Sequence, residues 1–257
     1  KLNITKPQYF HNIEKIKETV EEFVRAVAVS LQRGGNVLIP AFAVGRTQDI
    51  LYILNQAGRE GRLGRIQVFV DSPMAIQATR ITVKHPECLD VETLELMKTG
   101  GFPRSTLSVK FTETVEESMK INEIKSDAVI ISSSGMCEGG RIRHHLKHNL
   151  WRPECSVIFV GFQAQGTLGR RIVEGAKMVK IFGEEIVVNA SVYTIGGLSA
   201  HADRDELLGW LGKFRKKPQR VFIMHGEEDV AMKFAETVRN QLNLDTYVPG
   251  SLEEIQI

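Results

Sequence analysis

Residues 11–32, HNIEKIKETVEEFVRAVAVSLQ, place Ile13, Ile16, Val20, Phe23, Val24, Val27 and Leu31 at spacings of three and four. That period gathers them on one face and predicts an amphipathic helix, which Gly34-Gly35 would end. Four later stretches are apolar at nearly every position: 36–42 (NVLIPAF), 65–71 (RIQVFVD), 127–134 (DAVIISSS) and 156–162 (SVIFVGF). Such runs predict strands buried on both faces. Helices are expected between and after them, from about Thr47 to Ala57, over 73–86, over 92–100, from 139 and over 167–175. Strand and helix alternate, with strands roughly 30 residues apart, so the fold class is α/β, a parallel sheet with helices on both faces.

The texture changes near residue 179. VKIFGEEIVVNASVYTIGG (179–197) reads as short strands with a Gly-Glu turn, a hairpin or meander. A helix follows in 202–214, with Leu207, Leu208, Leu211 and Phe214 on one face, and Lys216-Lys217-Pro218 ends it. RVFIMHG (220–226) is then a strand, 230–242 a helix, and 247–257 an extended terminal segment. The domain boundary is drawn in 188–192, giving 1–190 and 191–257. No internal repeat or low-complexity segment interrupts the chain.

Composition narrows the class without choosing a function. At 257 residues the chain can bury a sizeable core. A net charge of +2 carries no global basic signal of the sort that marks a small nucleic-acid-binding domain. Three cysteines, Cys88, Cys137 and Cys155, lack CxxC spacing, which argues against a disulfide framework or a zinc ribbon and for reduced thiols in a cytoplasmic protein. No apolar run approaches the ~18–20 residues that span a bilayer, so no membrane partner is expected. The N-terminus is polar, does not read as a signal peptide and lacks an initiating Met.

In a parallel sheet, sites form beyond the carboxyl ends of the strands. Asp71-Ser72 follows one predicted strand, Ser132-Ser133-Ser134-Gly135 another, Gln163 a third, and Gly45-Arg46 a fourth. Ser/Gly-rich turns that run into helix N-termini present several backbone N–H groups together and suit an anion. The turns 132–141 and 161–167 are candidates for successive phosphates of a single strand, with Arg46, Arg141, Arg143, Arg170 and Arg171 nearby in sequence. Neither turn matches GxxxxGK[ST], which argues against a nucleoside triphosphatase of the P-loop type.

The histidines divide into two kinds. His144 and His148 share a helix face, but the residue after His144 is His145 rather than Glu, so a HExxH general base is missing and a helix surface is expected. His85 and His11 are read as ordinary. His201 and His225 differ: each sits at a strand-to-helix turn, flanked by Gly and by acid (Asp203; Glu227 and Glu228). Histidine suits both metal ligation and proton transfer near neutral pH. Two histidines do not close a catalytic zinc site, which takes three protein ligands and a water.

Five strings in this order, GGNVLIPAFAVGRTQDILYIL, VFVDSPMA, SSSGMCEGGR, GLSAHAD and IMHGEE, resemble the β-CASP branch of the metallo-β-lactamase fold, a family of RNA-processing nucleases. The resemblance covers nearly the whole chain and is nearest to the stand-alone bacterial and archaeal members. It implies a parallel-sheet β-CASP domain followed by the C-terminal part of a metallo-β-lactamase αββα domain. It implies that His201 is the motif B histidine near the scissile phosphate, acting as general acid, and that His225 is the motif C zinc ligand. It implies that Asp71 and Ser72 of DSPMA and Ser132, Ser133, Ser134 and Gly135 of the SSSGM turn line an RNA cleft, to which the strand-end reading adds Arg46, Arg141 and Gln163 as substrate-binding candidates. A histidine rather than an apolar residue at 225 resembles the RNA-cleaving branch more than the DNA-repair branch.

The chemistry so implied is phosphodiester hydrolysis at two zinc ions, with single-stranded RNA as partner. The family's HxHxDH metal motif does not occur in these 257 residues. The expectation is therefore that the rest of the site lies on an N-terminal metallo-β-lactamase half outside this sequence. Zinc should be held poorly by this chain alone, and little RNA cleaved. The resemblance also leaves room for a homodimer, and for a non-catalytic RNA-binding scaffold as the second reading.

Overall fold

The computed structural model describes residues 13–89, 91, 94, 107–198 and 201–256. The helix expected over 92–100 lies outside the described residues but for Leu94, and so does His11. The chain forms two compact units that divide between residues 199 and 200.

The first unit opens with helix α1 (Ile13–Gln32), followed by β1 (Val37–Pro40), α2 (Arg46–Arg59), β2 (Ile66–Val70), α3 (Pro73–Lys84) and β3 (Leu107–Phe111). Then come α4 (Val115–Ile121), β4 (Ala128–Ser132), α5 (Ile142–Asn149), β5 (Ser156–Phe159), α6 (Leu168–Val173), β6 (Met178–Ile181), β7 (Glu184–Val187) and β8 (Ser191–Thr194). Six of the strands form one sheet in the order β3-β2-β4-β1-β5-β8, and every pairing in it is parallel. Strands β6 and β7 make a separate antiparallel hairpin.

Side chains of a strand alternate between faces, so a sheet covered on both sides needs two cores. Val37, Ile39, Val68, Val70, Val129 and Ile131 point to one face and pack with α1, α2 and α3. Leu38, Val157 and Phe159 point to the other, against Ile142 and Leu146 of α5 and Leu168 and Ile172 of α6. Phe23 and Val27 of α1 are fully buried, and such residues each contribute roughly 1.5–3 kcal/mol. The crossover from β1 thus lies on one face, while those from β4 and β5 lie on the other. That divergence is the topological switch point at which open α/β sheets bind ligands, beyond the carboxyl ends of the strands.

Two elements of this unit are ones the hydrophobic pattern does not single out. β3 is an edge strand, with Leu107 buried and Lys110 and Phe111 exposed, and α4 begins at a capping box formed by Thr114 and Glu117. The sequence boundary after residue 190 falls ahead of the division between the units. Residues 191–194 pair in register with β5, and those ladder hydrogen bonds hold the segment to the first sheet.

The second unit contains α7 (Arg204–Gly212), β9 (Val221–Phe222), α8 (Glu228–Leu242) and β10 (Thr246–Tyr247), with β9 and β10 paired in parallel. Leu208, Leu211, Val238 and Leu244 form its small core. Among the described residues no helix is long and apolar enough to cross a membrane.

Candidate functional site

Most of the residues expected in a cleft gather at the carboxyl rim of the large sheet. Asp71 is the residue after β2, with its side chain 0% exposed. A lone buried carboxylate would be strongly unfavourable, and this one is saturated. It accepts hydrogen bonds from Thr112 Oγ1 and Ser118 Oγ, each at 2.6 Å, from His145 Nε2 at 2.7 Å and from Arg141 Nη1 at 2.8 Å. Burial pushes its carboxyl group up, but the hydrogen bonds from His145, Ser118 and Thr112 and the attraction to His145 outweigh burial and hold it at about 2.

His145 is itself fully buried, and its Nδ1 lies 2.8 Å from Asn122 Oδ1. Arg141 continues outward, donating to the carbonyls of Thr112 at 3.1 Å and Glu113 at 2.9 Å. Four elements, β2, the end of β3, α4 and the start of α5, are thereby tied to one carboxylate. Asp71 and most of Arg141's donors are committed inside the protein, so their part in any cleft is to fix the turns around them.

Those turns are closely built. Ser132 Oγ donates to the carbonyl of Asp71 at 2.7 Å, and Ser133 Oγ meets Ser72 Oγ at 3.1 Å. Ser72 also caps α3 by accepting from the Ala75 N–H. Ser134 and Gly139 close the 132–141 turn on itself, through Ser134 N to the Gly139 carbonyl and Gly139 N to Ser134 Oγ. Gly140 has φ +74°, and a Cβ there would stand 2.2 Å from the Ser133 carbonyl oxygen, so glycine alone fits. Arg46 starts α2 and pairs with Asp49 at 3.2 Å.

The 161–167 turn leads into α6, and its Thr167 N–H donates to the Ala164 carbonyl. The start of α6 receives the Glu138 carboxylate on the Leu168 N–H at 2.5 Å, and Thr167 accepts from the Arg170 N–H. Gln163, 5% exposed, spends its amide Nε2 on the carbonyls of Gly135, Gly161 and Phe162 at 3.0–3.1 Å. It works as a strut between two loops.

Sequence reasoning treated His145 only as a neighbour of the His144/His148 pair. The helical phase held the signal, since Ile142, Leu146 and Asn149 are buried and lie on its face. His144 and His148 are exposed, as a helix surface should be, and both are held below the usual imidazole range by partial desolvation and by charged neighbours.

His201 and His225 stand in the second unit, both exposed. His201 lies two residues before Asp203, which caps α7 by accepting from the Asp205 and Glu206 N–H groups while Glu206 caps it in return. This capping box fixes where the helix starts and so where the His201 loop ends. His225 follows β9 with φ +65°, an unusual backbone for a non-glycine residue. It lines a groove of about 590 Å³ whose walls include Leu207, Trp210, Val230 and Phe234.

Zinc would need donors that converge. Among the described residues no three His, Cys, Asp or Glu side chains come together in a way that could hold a metal ion. His225 is one donor where a catalytic zinc takes three from the protein, so the described residues do not compose a zinc centre.

Two family models match the chain: the Beta-Casp domain over residues 47–172 and the Zn-dependent metallo-hydrolase RNA specificity domain over residues 185–249. Ribonuclease TTHA0252 of Thermus thermophilus is 41% identical over 213 residues, covering 83% of this chain and 48% of that protein. Transcription termination factor FttA of Methanocaldococcus jannaschii is 34% identical over 247 residues, covering 94% of this chain and 39% of that protein. An RNase J-like protein of the same archaeon is 32% identical over 239 residues, covering 93% of this chain and 54% of that protein. The chain spans about half of these relatives' length, or less.

Proposed function

Because the chain belongs to the β-CASP branch of the metallo-β-lactamase superfamily, we propose that it is the RNA-clamping part of a zinc-dependent ribonuclease acting in cytoplasmic RNA processing or decay. In this reading residues 1–190, with the β8 strand that pairs with them, are the β-CASP domain, and the rest of the chain to 257 is the C-terminal return of the metallo-β-lactamase domain. His201 protonates the leaving ribose oxygen. His225 is one zinc ligand, and the other donors lie on protein outside these 257 residues. Bound zinc supplies Lewis-acid stabilisation of charge on the phosphoryl oxygens.

The observation that carries the reading is where the two histidines of the second unit stand. His201 and His225 are expected site residues that stand at exposed turns ahead of helices. A residue that must meet a substrate or a metal has to be presented in that way. The relative named ribonuclease TTHA0252 supports the same reaction class.

The test uses the intact protein. His225→Ala should lower zinc content by elemental analysis and abolish cleavage of single-stranded RNA. His201→Ala should keep the zinc and the RNA affinity while cleavage falls by at least a hundredfold, within the range general-acid groups supply. Unchanged zinc in His225→Ala would sink the ligand assignment. An intact protein that binds RNA with steep salt dependence yet never cleaves it would favour the scaffold reading instead.

A further inference from the structure

Two aromatic rings are exposed on this chain at the switch point of the large sheet. Phe42, just past β1, is 51% exposed, and Phe162, just past β5, is 63% exposed. β1 and β5 are hydrogen-bonded neighbours, so both residues leave the same stretch of rim. A single exposed apolar residue needs no explanation. These two differ in how firmly their backbones are held.

Phe42 is seated on Gly135. A Cβ at Gly135 would come within 3.2 Å of Cδ2 and Cε2 of the Phe42 ring, so the ring packs against bare backbone. The Phe42 carbonyl accepts from both the Thr47 N–H and Thr47 Oγ1. Phe162 is tied to the same glycine from the other side, because one buried amide, Gln163 Nε2, donates to the carbonyls of Phe162 at 3.1 Å and of Gly135 at 3.0 Å. Gly135 thus lies against the Phe42 ring and shares one amide donor with the Phe162 carbonyl.

Three N–H groups of the rim around them are already used inside the protein. The Ser134 and Gly139 N–H groups are used within the turn, and the Leu168 N–H faces the Glu138 carboxylate. What the rim presents instead is ring surface on a fixed backbone, which loses little freedom when a flat partner stacks on it. Nucleobases are such partners, and stacking is tolerant of sequence because every base has a π-face.

We infer that Phe42 and Phe162 form a base-stacking platform beside Gly135 that grips a single-stranded RNA by its bases rather than its phosphates. The inference rests on the RNA reading above and deepens it. Lost stacking and lost phosphate contacts differ in one observable. Phosphate contacts set the slope of log affinity against log salt, and stacking does not.

The experiment measures fluorescence anisotropy of the intact protein with a mixed-sequence RNA and with an abasic oligomer of equal length. Phe42→Ala and Phe162→Ala should each weaken the base-bearing RNA about tenfold or more. Affinity for the abasic strand and the salt slope should stay as they were. Phe42→Trp should restore binding, and thermal unfolding of each variant checks that the fold survives. Equal losses on both oligomers would overturn the platform. So would unchanged RNA affinity in both variants, the result expected if the rings seat a protein instead. If the unsubstituted protein fails to bind RNA at all, the ribonuclease reading falls first. If it binds and cleaves RNA but ignores both substitutions, only the platform falls.

Discussion

Asp71 and His145 lie 74 residues apart in sequence and meet at 2.7 Å with neither side chain exposed to solvent. Their contact fastens the start of α5 to the end of β2, and through Arg141 to the end of β3. The rim of the sheet is built around this one carboxylate.

Asp71→Asn keeps the volume but removes the charge that Arg141 and His145 face. Breaking a buried pair by removing one partner costs about 3–5 kcal/mol. Urea denaturation of the variant should show a loss in that range. A loss below about 1 kcal/mol would mean that the network does not hold the rim together.

The same carboxylate sets an acid limit. Its value falls from 3.8 to about 2 in the folded protein. A depressed folded value gives stability that is complete above the unfolded value and disappears as pH falls through the folded one. The contribution is about 2 kcal/mol, present above pH 4 and lost towards pH 2. Unfolding free energies measured across that window should fall for the natural protein more steeply than for Asp71→Asn.

Neighbouring glycines should respond differently to one methyl group. Gly140 combines φ +74° with a blocked Cβ position, whereas Gly139 has nothing within 4 Å of its Cβ position. Gly140→Ala is expected to cost about 3 kcal/mol or more, from the left-handed backbone and the shift forced on Ser133. Gly139→Ala should stay within about 1 kcal/mol. Thermal melts of the pair decide it; similar melting points would refute the geometry of this turn.

The thiols offer an inexpensive check on the core. Cys137 and Cys155 are buried and Cys88 is exposed. Burial, the largest effect, and the Glu138 charge push the Cys137 thiol up to about 12, so little thiolate forms near neutral pH. A thiol-specific dye should label Cys88 rapidly in the native protein and the other two only after denaturation. Fast native labelling of Cys137 would contradict the packing of α5 on the sheet.

Strands β1, β2, β4 and β5 were legible because all their residues but Gln67 are buried, which writes a nearly continuous apolar run into the sequence. β3 was not, since an edge strand with Ser108 and Lys110 turned away from the core leaves a short, interrupted alternation. The place of β8 in the large sheet depends on pairing with β5, and no local pattern encodes a partner 35 residues upstream. At the site, His201 and His225 could be picked out by their small and acidic neighbours, and Asp71 by its place after a strand. What Asp71 does there was hidden, because Thr112, Ser118 and His145 reach it from three separate elements. The Glu138 carboxylate on the Leu168 N–H was hidden for the same reason.

The position of β1 at the middle of the sheet bears on how the protein is made. Its strand ends at Pro40, while its partners on either side begin at Ala128 and Ser156. During synthesis at ~5–20 residues per second, Val37–Pro40 waits on the order of ten seconds for its first neighbour to leave the ribosome. An apolar strand with both edges open is prone to pair with other chains for that whole interval. Slower elongation upstream of residue 128, or a holdase chaperone that covers α1 and β1, should therefore alter the yield of folded protein more than any change made after β5 has been translated.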